Sequence, residues 1–341
     1  MRVKHILPFG EFFYGKRSGA IGIFLKKICE TNLESYLAYE IFRPDFRFHW
    51  LVKLPLIRRY FRNLYYCNAY KTIKVGQLIV IHNDIPMLLF FLERGLKNPI
   101  ILHLHNEYDL KQLNTRREIS GIVVCSRALK AFVIKQKLNI PVTVIGNGAC
   151  FVEDQAKIAC LRKYSLGFVG RLDFNKGFLN IMKALKNSQK EFIIVVAKTP
   201  LSLETLYVFS KLIILYLKCP RRCNVKFNLH HRQVIDLLLE TKILIVPTQK
   251  TEAFGMVALE AISCGAFALT TKVGGLPDVD IHSGKFFQNG FLLEEKVNQL
   301  LKDHAMLAKL RDSQYSHATR YSWDKIAKNY YVYLSSPKNA I

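Results

Sequence analysis

The stretch Thr251-Glu252-Ala253-Phe254-Gly255-Met256-Val257-Ala258-Leu259-Glu260-Ala261 carries two carboxylates, eight residues apart, in an otherwise apolar run. Residues 243–247 before it are typical of a buried strand. Residues 255–264 predict a helix that ends at Gly265, because glycine tolerates the left-handed conformation at a helix C terminus. Glu260 falls inside this helix, where a carboxylate among apolar neighbours is costly to desolvate unless a partner donates hydrogen bonds to it. We therefore expect a hydroxyl-rich ligand beside the two carboxylates.

A second informative stretch, LGFVGRLDFNKG at residues 166–177, precedes apolar residues that recur at helical spacing from Phe178 to Leu185. The pattern predicts a strand, a cationic loop and an amphipathic helix. Amide groups at the start of a helix favour an anion, and Arg171 can add a planar fork of donors and Lys176 a point charge. This loop therefore predicts a diphosphate site.

Strand-like apolar runs alternate with helical or loop segments in both halves of the chain. The runs cover residues 3–7, 78–81, 100–104, 122–124 and 142–145, and then residues from 166 onward, 192–197, 225–227, 243–247 and 267–271. This alternation is typical of α/β proteins in which helices cover open parallel sheets. We predict two Rossmann-like domains whose parallel sheets face a deep cleft, with the boundary between residues 149 and 164.

Several of these residues match one family. Gly170-Arg171 with Lys176-Gly177, Glu252 with Glu260, and Gly274-Gly275 resemble the donor-binding half of retaining GT-B glycosyltransferases of family 4. Further stretches resemble the lipopolysaccharide core N-acetylglucosaminyltransferases of enteric bacteria, and these are Val80–Asn83, His103–Asn106, Val144–Gly148 and Tyr321–Trp323. The resemblance implies a GT-B fold in three parts: an acceptor domain over residues 1–155, a nucleotide-sugar domain over residues 156–320, and a C-terminal helix over residues 321–341 that packs back toward the N-terminal domain.

The resemblance also implies roles for individual residues. Arg171 and Lys176 would stabilise the departing UDP, Glu260 would hold the ribose hydroxyls, and Glu252 would hold the hydroxyls of the donor sugar. The implied donor-binding residues are Gly19, Gly170, Arg171, Lys176, Phe254, Gly255, Met256 and Glu260, and the implied catalytic residues are His105, Arg171, Lys176 and Glu252. We favour His105 because it ends a strand, at the edge where open α/β sheets contact ligands, with His103 as its support.

The implied reaction is the retaining transfer of N-acetylglucosamine from UDP-N-acetylglucosamine to a lipopolysaccharide core saccharide, with no cofactor and no metal. UDP-glucose or UDP-galactose stays open as the donor. Two loops near the nucleobase depart from the family, since Ala197-Lys198 and Asn228-Leu229-His230 stand where many relatives carry glycine. We expect a cytoplasmic protein that is peripheral on the cytoplasmic face of the bacterial inner membrane, with the nucleotide sugar, the core acceptor and the anionic membrane surface as partners.

The composition predicts a polyanionic partner. The 341 residues include 50 Lys and Arg against 26 Asp and Glu, a formal net charge of +24. Nucleic acid would account for this charge but not for Glu252 and Glu260, because carboxylates repel phosphates, so we expect no nucleic-acid partner. The run Arg58-Arg59-Tyr60-Phe61-Arg62 combines cations for phosphates with aromatic rings, which predicts acceptor or membrane contacts for Arg58, Arg59 and Arg62. A solvated basic face is the alternative.

Two apolar patterns bear on membrane insertion and export. The N terminus lacks the sustained apolar core of a signal peptide. Residues 201–217 are apolar but are interrupted by Glu204 and Lys211 and fall short of the roughly 20 residues that a spanning helix needs. We expect this segment to form a helix on the protein.

Three further motifs have less specific explanations. Residues 10–17 resemble a Walker A loop, but Arg17 occupies the hydroxyl position, so we favour a loop near the donor or acceptor over an ordinary tight turn. Asp278-Val279-Asp280 spells the D-x-D of metal-dependent enzymes, yet a solvated helix start is the better interpretation. The last motif, a set of cysteines and histidines, matches no common zinc pattern and is interpreted as a basic loop; it comprises Cys219, Cys223, His230 and His231.

Overall fold

The computed structural model of the chain describes residues 2–9, 19–31, 38–43, 55–113, 118–154, 162–285 and 292–336. The chain divides into two compact units. Unit 1 comprises Met1–Asn147 with Trp323–Ile341, and unit 2 comprises Gly148–Ser322. The glycine-containing segment from Gly10 to Ser18 lies outside the described residues.

Unit 1 contains a six-stranded parallel sheet in the order β2-β1-β3-β4-β5-β6. Its strands are β1 (Arg2–Ile6), β2 (Ala38–Phe42), β3 (Leu78–His82), β4 (Ile100–Leu104), β5 (Ile119–Val124) and β6 (Val142–Val144). Its first four helices are α1 (Ala20–Glu30), α2 (Pro55–Lys71), α3 (Ile85–Glu93) and α4 (Arg127–Ile134). Every residue of β3 and β4 is buried, as expected for parallel strands that are covered on both faces.

Strand β2 was not predicted from the sequence. Its apolar run is broken by Glu40, whereas central parallel strands are continuous in apolar residues. The strand lies at the edge of the sheet, where Glu40 Oε2 is 3.3 Å from the Nζ atom of the buried Lys4. An edge position thus tolerates the charge that hid the strand.

Unit 2 contains a five-stranded parallel sheet in the order β11-β10-β7-β8-β9. The strands are β7 (Tyr164–Gly170), β8 (Phe192–Val196), β9 (Cys223–Phe227), β10 (Thr241–Val246) and β11 (Phe267–Thr270). The helices are α5 (Phe178–Asn187), α6 (Leu203–Lys218), α7 (His231–Leu239), α8 (Met256–Ser263), α9 (Leu276–Val279), α10 (Leu292–Lys302) and α11 (His304–Ala318). All five strands that the sequence predicted here are present, which confirms the fold class.

The strand order marks where each unit would bind a ligand. In unit 2 the order reverses between β7 and β10, and in unit 1 between β1 and β3. Open α/β sheets bind ligands outside the carboxyl ends of the strands at such a switch point. The cationic loop follows β7 and the Glu252 loop follows β10, so the two sequence motifs meet at the switch point of unit 2.

Helices α8 and α6 agree with the predictions from the sequence. Helix α8 ends before Gly265, which has a φ of 70° in the left-handed region. The segment predicted as a surface helix forms α6, and none of the helices in the described ranges is long and apolar enough to cross a membrane. The last helix, α12 (Trp323–Leu334), belongs to unit 1, where the ring of Tyr330 meets that of Phe24 on α1 at right angles.

Candidate active site

The cationic loop after β7 is held in shape by its own side chains. Asp173 accepts a hydrogen bond from the backbone N–H of Lys176 at 2.8 Å and forms an ion pair with Arg171 at 3.0 Å. Gly177 then takes a left-handed conformation, and a Cβ atom there would lie 2.0 Å from the carbonyl oxygen of Pro247. Only glycine therefore fits at the turn that leads into α5.

Lys176 and Glu252 form an ion pair across the switch point. Lys176 Nζ lies 2.6 Å from Glu252 Oε2, and the Thr248 hydroxyl lies 3.4 Å from the same oxygen. The pair joins the loop after β7 to the loop after β10. A lysine in this position can exchange a carboxylate for a phosphate oxygen, since both offer the ammonium group an anionic acceptor.

Asn175 fastens the same two loops and was not singled out from the sequence. Its side-chain oxygen accepts hydrogen bonds from the backbone N–H groups of Lys250 and Thr251, both at 3.0 Å. Its side-chain nitrogen donates to the Thr251 carbonyl at 3.0 Å, and its backbone carbonyl accepts from Gln249 N–H at 2.8 Å. An asparagine between two predicted loop residues carries no periodic signal, so only the tertiary structure reveals this role.

The Gly274-Gly275 pair lets a third loop approach Glu252 closely. A Cβ atom on Gly274 would lie 2.0 Å from the Glu252 carbonyl oxygen, and the Gly275 N–H donates to that oxygen at 2.7 Å. A Cβ atom on Gly275 would lie 2.6 Å from the Ala253 carbonyl oxygen. The two glycines thus fix the backbone position of Glu252.

Glu260 is buried in α8 and contacts a histidine that sequence reasoning placed elsewhere. Its Oε1 atom lies 2.8 Å from His231 Nε2, at the start of α7. The sequence paired His231 with the nearby cysteines, because a contact between α7 and α8 leaves no local trace. Glu260 therefore has a hydrogen-bonding partner within the protein, and a ligand hydroxyl could share the carboxylate with that partner.

The other predicted donor-binding residues have mainly backbone or packing roles. Phe254 is buried with its ring at right angles to that of Tyr321, and Gly255 is the N-cap residue before α8, with a φ of 97°. Met256, the first residue of α8, is partly buried, and Gly170 ends β7. Gly19 precedes α1 in unit 1, where its carbonyl oxygen accepts the Ile23 N–H at 3.0 Å.

His105 lies in unit 1 within a buried group of four imidazoles, the histidine cluster, which comprises His5, His82, His103 and His105. His5 Nδ1 is 3.1 Å from His82 Nε2, and His82 Nδ1 is 3.3 Å from His105 Nε2. The ring centroids of His103 and His105 are 4.2 Å apart in a stacked arrangement. Burial lowers the pKa of His5 and His105 to about 3, and lowers the pKa of His82 and His103 well below its ordinary value.

The neutral state of the histidine cluster links its tautomers. A neutral imidazole has one donor and one acceptor nitrogen, so His82 donates one of its two hydrogen bonds and accepts the other. If His82 donates to His5, its Nδ1 accepts the Nε2–H of His105, which leaves His105 Nδ1 as an acceptor. If His82 accepts from His5, His105 Nδ1 carries the proton. The tautomer of His105 therefore follows that of His5.

The sequence predicted a solvated helix start at Asp278-Val279-Asp280. The solvation is wrong, because both aspartates are buried. Asp280 accepts hydrogen bonds from Thr270 Oγ1 at 2.6 Å and from His282 N–H and Gln314 Nε2 at 2.7 Å. Burial is the main reason that its pKa is raised above the ordinary value. Asp280 thus ties β11 to α11 as a structural carboxylate.

The structure brings together a group of potential metal ligands that the sequence did not indicate. Within the described ranges, the only group of three such residues with ligand atoms at suitable distances is His82, His103 and His105, all within 4.8 Å of one another. His82 uses both ring nitrogens in hydrogen bonds to other histidines. Cys219 and Cys223 are buried instead, and burial raises the pKa of Cys223 to about 12, which keeps this thiol protonated.

The three arginines predicted to contact acceptor or membrane lie on α2. Arg58 and Arg59 are exposed, whereas Arg62 is half-buried with its guanidinium carbon 6.0 Å from the centroid of the Tyr66 ring. Two of the three side chains are therefore exposed to solvent.

Comparison with known proteins agrees with this geometry. Residues 153–322, close to the extent of unit 2, match the model of the family described as glycosyl transferases group 1. The chain carries a domain of the glycosyl transferases group 1 family. The glycosyltransferase domain contains the ion pair of Lys176 and Glu252, the Glu260 contact and the paired glycines.

Individual relatives support the same assignment. The chain is 24% identical to the lipopolysaccharide 1,2-N-acetylglucosaminetransferase of Salmonella typhimurium, over 76% of this chain and 72% of the relative. Two solved structures share the fold. Sucrose-phosphate synthase from Thermosynechococcus elongatus has a TM-score of 0.73 at 14% identity, covering 98% of this chain and all of that one. Anabaena HepE in complex with UDP-glucose has a TM-score of 0.71 at 18% identity, covering 97% of this chain and 99% of that one. These similarities confirm the predicted GT-B fold.

Proposed function

We propose that this glycosyltransferase transfers N-acetylglucosamine from UDP-N-acetylglucosamine to a lipopolysaccharide core saccharide, with retention of configuration and without a metal. The observation that carries the proposal is the contact of Lys176 with Glu252 at the switch point of unit 2. It combines a cation for the diphosphate with a carboxylate for sugar hydroxyls, which are the two chemical groups that a nucleotide sugar presents. The Salmonella relative, named for N-acetylglucosamine transfer to lipopolysaccharide, supports the choice of donor and acceptor.

The proposed mechanism relies on electrostatic stabilisation of the leaving group. Negative charge develops on the departing UDP, and preorganised cations at the site of that charge lower the barrier. Arg171 is paired with Asp173 and Lys176 with Glu252, and these ion pairs support the proposed role of both side chains as preorganised cations. The resemblance to family 4 implies a same-face substitution in which the leaving phosphate accepts the proton of the acceptor hydroxyl.

The two carboxylates have different proposed tasks. Glu260 is buried and partnered by His231, which suits a fixed contact with the ribose hydroxyls of UDP. Glu252 shares its partner Lys176 with the incoming diphosphate and would then accept hydrogen bonds from the donor sugar. We assign His105 to the acceptor and sugar site, where its neutral imidazole can donate or accept a hydrogen bond but carries no charge.

The direct test is product analysis. The protein is incubated with a truncated lipopolysaccharide acceptor and a panel of nucleotide sugars, which includes UDP-N-acetylglucosamine, UDP-glucose and UDP-galactose, and the products are weighed by mass spectrometry. We expect the largest mass increase with UDP-N-acetylglucosamine, and NMR of the product should show the anomeric configuration of the donor. Transfer from UDP-glucose or UDP-galactose alone would replace the donor assignment, and an inverted product would refute retention.

We further propose that the protein is peripheral on the cytoplasmic face of the inner membrane and that α2 contacts anionic lipid through its arginines. Changing Arg58, Arg59 and Arg62 to Glu should weaken binding to anionic vesicles at low salt and leave UDP affinity intact. Each arginine near the surface should contribute on the order of 1 kcal/mol, and salt should remove this contribution. Unaltered vesicle binding would reduce the arginines to a solvated face, and preferential retention on RNA would favour a nucleic-acid partner.

A further inference from the structure

Helix α6 in unit 2 exposes apolar side chains on the face opposite the core. Val208, Leu212 and Leu215 form the buried stripe of the helix. The spacing of 3.6 residues per turn places Leu206, Ile213 and Leu217 on the opposite side, where their exposed fractions are 50%, 44% and 70%. A helix that is apolar on both sides needs a second apolar environment besides the core.

The exposed apolar surface extends beyond these three residues. We define the α6 face as the exposed apolar residues of this helix and its approach, namely Leu201, Leu203, Leu206, Tyr207, Phe209, Ile213, Ile214, Tyr216 and Leu217. Phe227 at the end of β9 is also exposed and packs its ring against that of Phe209, with centroids 6.2 Å apart. A continuous apolar patch of this kind marks an interaction surface, whereas scattered exposed apolar residues do not.

Cations border the α6 face. Lys211 and Lys218 lie on one flank of the helix, and the Nζ atom of Lys211 is 5.0 Å from the centroid of the Tyr207 ring. Arg221 is an exposed cation three residues beyond the end of the helix. The single acidic residue of α6, Glu204, accepts a hydrogen bond from the backbone N–H of Phe174. The surface is therefore both apolar and cationic.

We propose that the α6 face docks onto an anionic lipid bilayer, with its leucine and isoleucine side chains below the headgroups and its lysines at the lipid phosphates. Helix α6 has 16 residues, so it lies along the interface and does not span it. A second copy of the chain fits the surface less well, since a symmetric contact would bring both sets of cations together without counter-charges. An anionic bilayer supplies the apolar layer and the negative charge at once.

The α6 face is connected to the cationic loop after β7. Phe174 follows Arg171 by three residues, and its backbone N–H is held by Glu204 at the start of α6. Its ring meets that of Tyr207 with centroids 6.1 Å apart. A membrane-bound α6 would therefore hold Arg171 and Lys176 close to the lipid surface. This consequence rests on the proposed function, whereas the docking itself does not.

The test compares two matched triple variants in vesicle co-sedimentation. The first changes Leu206, Ile213 and Leu217 to Gln, and the control changes three exposed apolar residues elsewhere, Val75, Ile134 and Val332, to Gln. With vesicles of phosphatidylglycerol and phosphatidylethanolamine at high salt, the first variant should bind on the order of 100-fold more weakly, because three side chains no longer enter the apolar layer. The control variant should bind like the unchanged protein.

Further measurements separate the alternatives. A Leu217→Trp variant should show a blue-shifted emission when these vesicles are added, and quenching by brominated lipid. Equal vesicle binding by the two triple variants, or an emission unaffected by vesicles, would overturn the proposal. Sedimentation of a dimer that the α6 changes dissociate, with vesicle binding retained, would assign the face to a second copy instead. A UDP titration of each variant shows whether unit 2 is folded and tests the donor site separately.

Discussion

Removing either charge of the Lys176–Glu252 ion pair should lower transfer, but the two changes should affect UDP affinity differently. Lys176 is 24% exposed and Glu252 is 15% exposed, so both charges are largely withdrawn from water at a separation of 2.6 Å. Lys176→Ala removes the cation for the diphosphate and leaves the Glu252 carboxylate without this partner. We expect UDP affinity to fall roughly 10-fold to 100-fold and transfer to fall by about 100-fold or more.

Glu252→Gln should behave differently toward the nucleotide. The change frees Lys176 from a competing carboxylate, so UDP affinity should stay the same or increase, by up to about 10-fold. Transfer should still fall, because the sugar hydroxyls lose their charged acceptor. For stability, Lys176→Ala should cost about 1–2 kcal/mol, and adding Glu252→Gln should recover part of that cost because no unpaired carboxylate remains.

The measurements are isothermal calorimetry with UDP, thermal unfolding, and donor turnover for the two single variants and the double variant. Lys183→Ala is the matched control, since Lys183 is exposed in the following helix and lies 3.5 Å from Glu294. Surface pairs of this kind contribute little, so the control should retain both stability and UDP affinity. If Glu252→Gln weakened UDP binding as much as Lys176→Ala does, the assigned division of roles would be refuted.

Three more predictions concern the site and the histidine cluster. Glu260→Gln should weaken UDP binding by roughly 10-fold with a smaller effect on turnover, since the ribose hydroxyls would lose a charged acceptor; unchanged calorimetric affinity would contradict this role. Transfer should survive EDTA, because in the proposed site Arg171 and Lys176 would neutralise the diphosphate without a metal, and a strict requirement for magnesium or manganese would contradict this proposal. Acid should destabilise unit 1, because the unfolded histidines bind protons below about pH 6.5, whereas the pKa of folded His5 and His105 is about 3. The free energy of unfolding is thus not reduced by these histidines above pH 6.5, and it decreases as the pH falls toward 3, by about 1.4 kcal/mol per pH unit for each such histidine. A free energy of unfolding in urea that is unchanged between pH 7 and pH 5 would contradict this prediction.

Local sequence pattern accounted for most of the fold and for part of the site. The predicted strands in both units are present because central parallel strands are continuous apolar runs, and Gly265 ends α8 as its residue type requires. The edge strand β2 was missed since Glu40 interrupts its pattern. Whatever depends on strand order, such as the meeting of the β7 and β10 loops, follows from topology and carries no signal in a single segment.

Contacts between distant segments explain the other differences. His231 was grouped with Cys219 and Cys223 by proximity in sequence, yet its side chain contacts Glu260 on the next helix. Asp280 was expected in solvent because acidic residues commonly begin helices, yet it is satisfied in the interior by the nearby His282 N–H and by two donors from other elements, Thr270 and Gln314. Periodicity describes which face of an element is apolar, but it does not identify the partner of a buried polar group.

The close approach of main chain to main chain around Glu252 has a consequence for engineering. Gly177 and Gly274 each bring a loop so near a neighbouring carbonyl oxygen that the backbone, and not the side chains, sets the spacing of the loops after β7, β10 and β11. Libraries that aim to change sugar or nucleotide preference should therefore keep these glycines and Asn175 unaltered, and randomise residues 197–198 and 228–230 instead. Most inactive clones from a library that also varied the glycines would be failures of loop geometry, and they would report nothing about specificity.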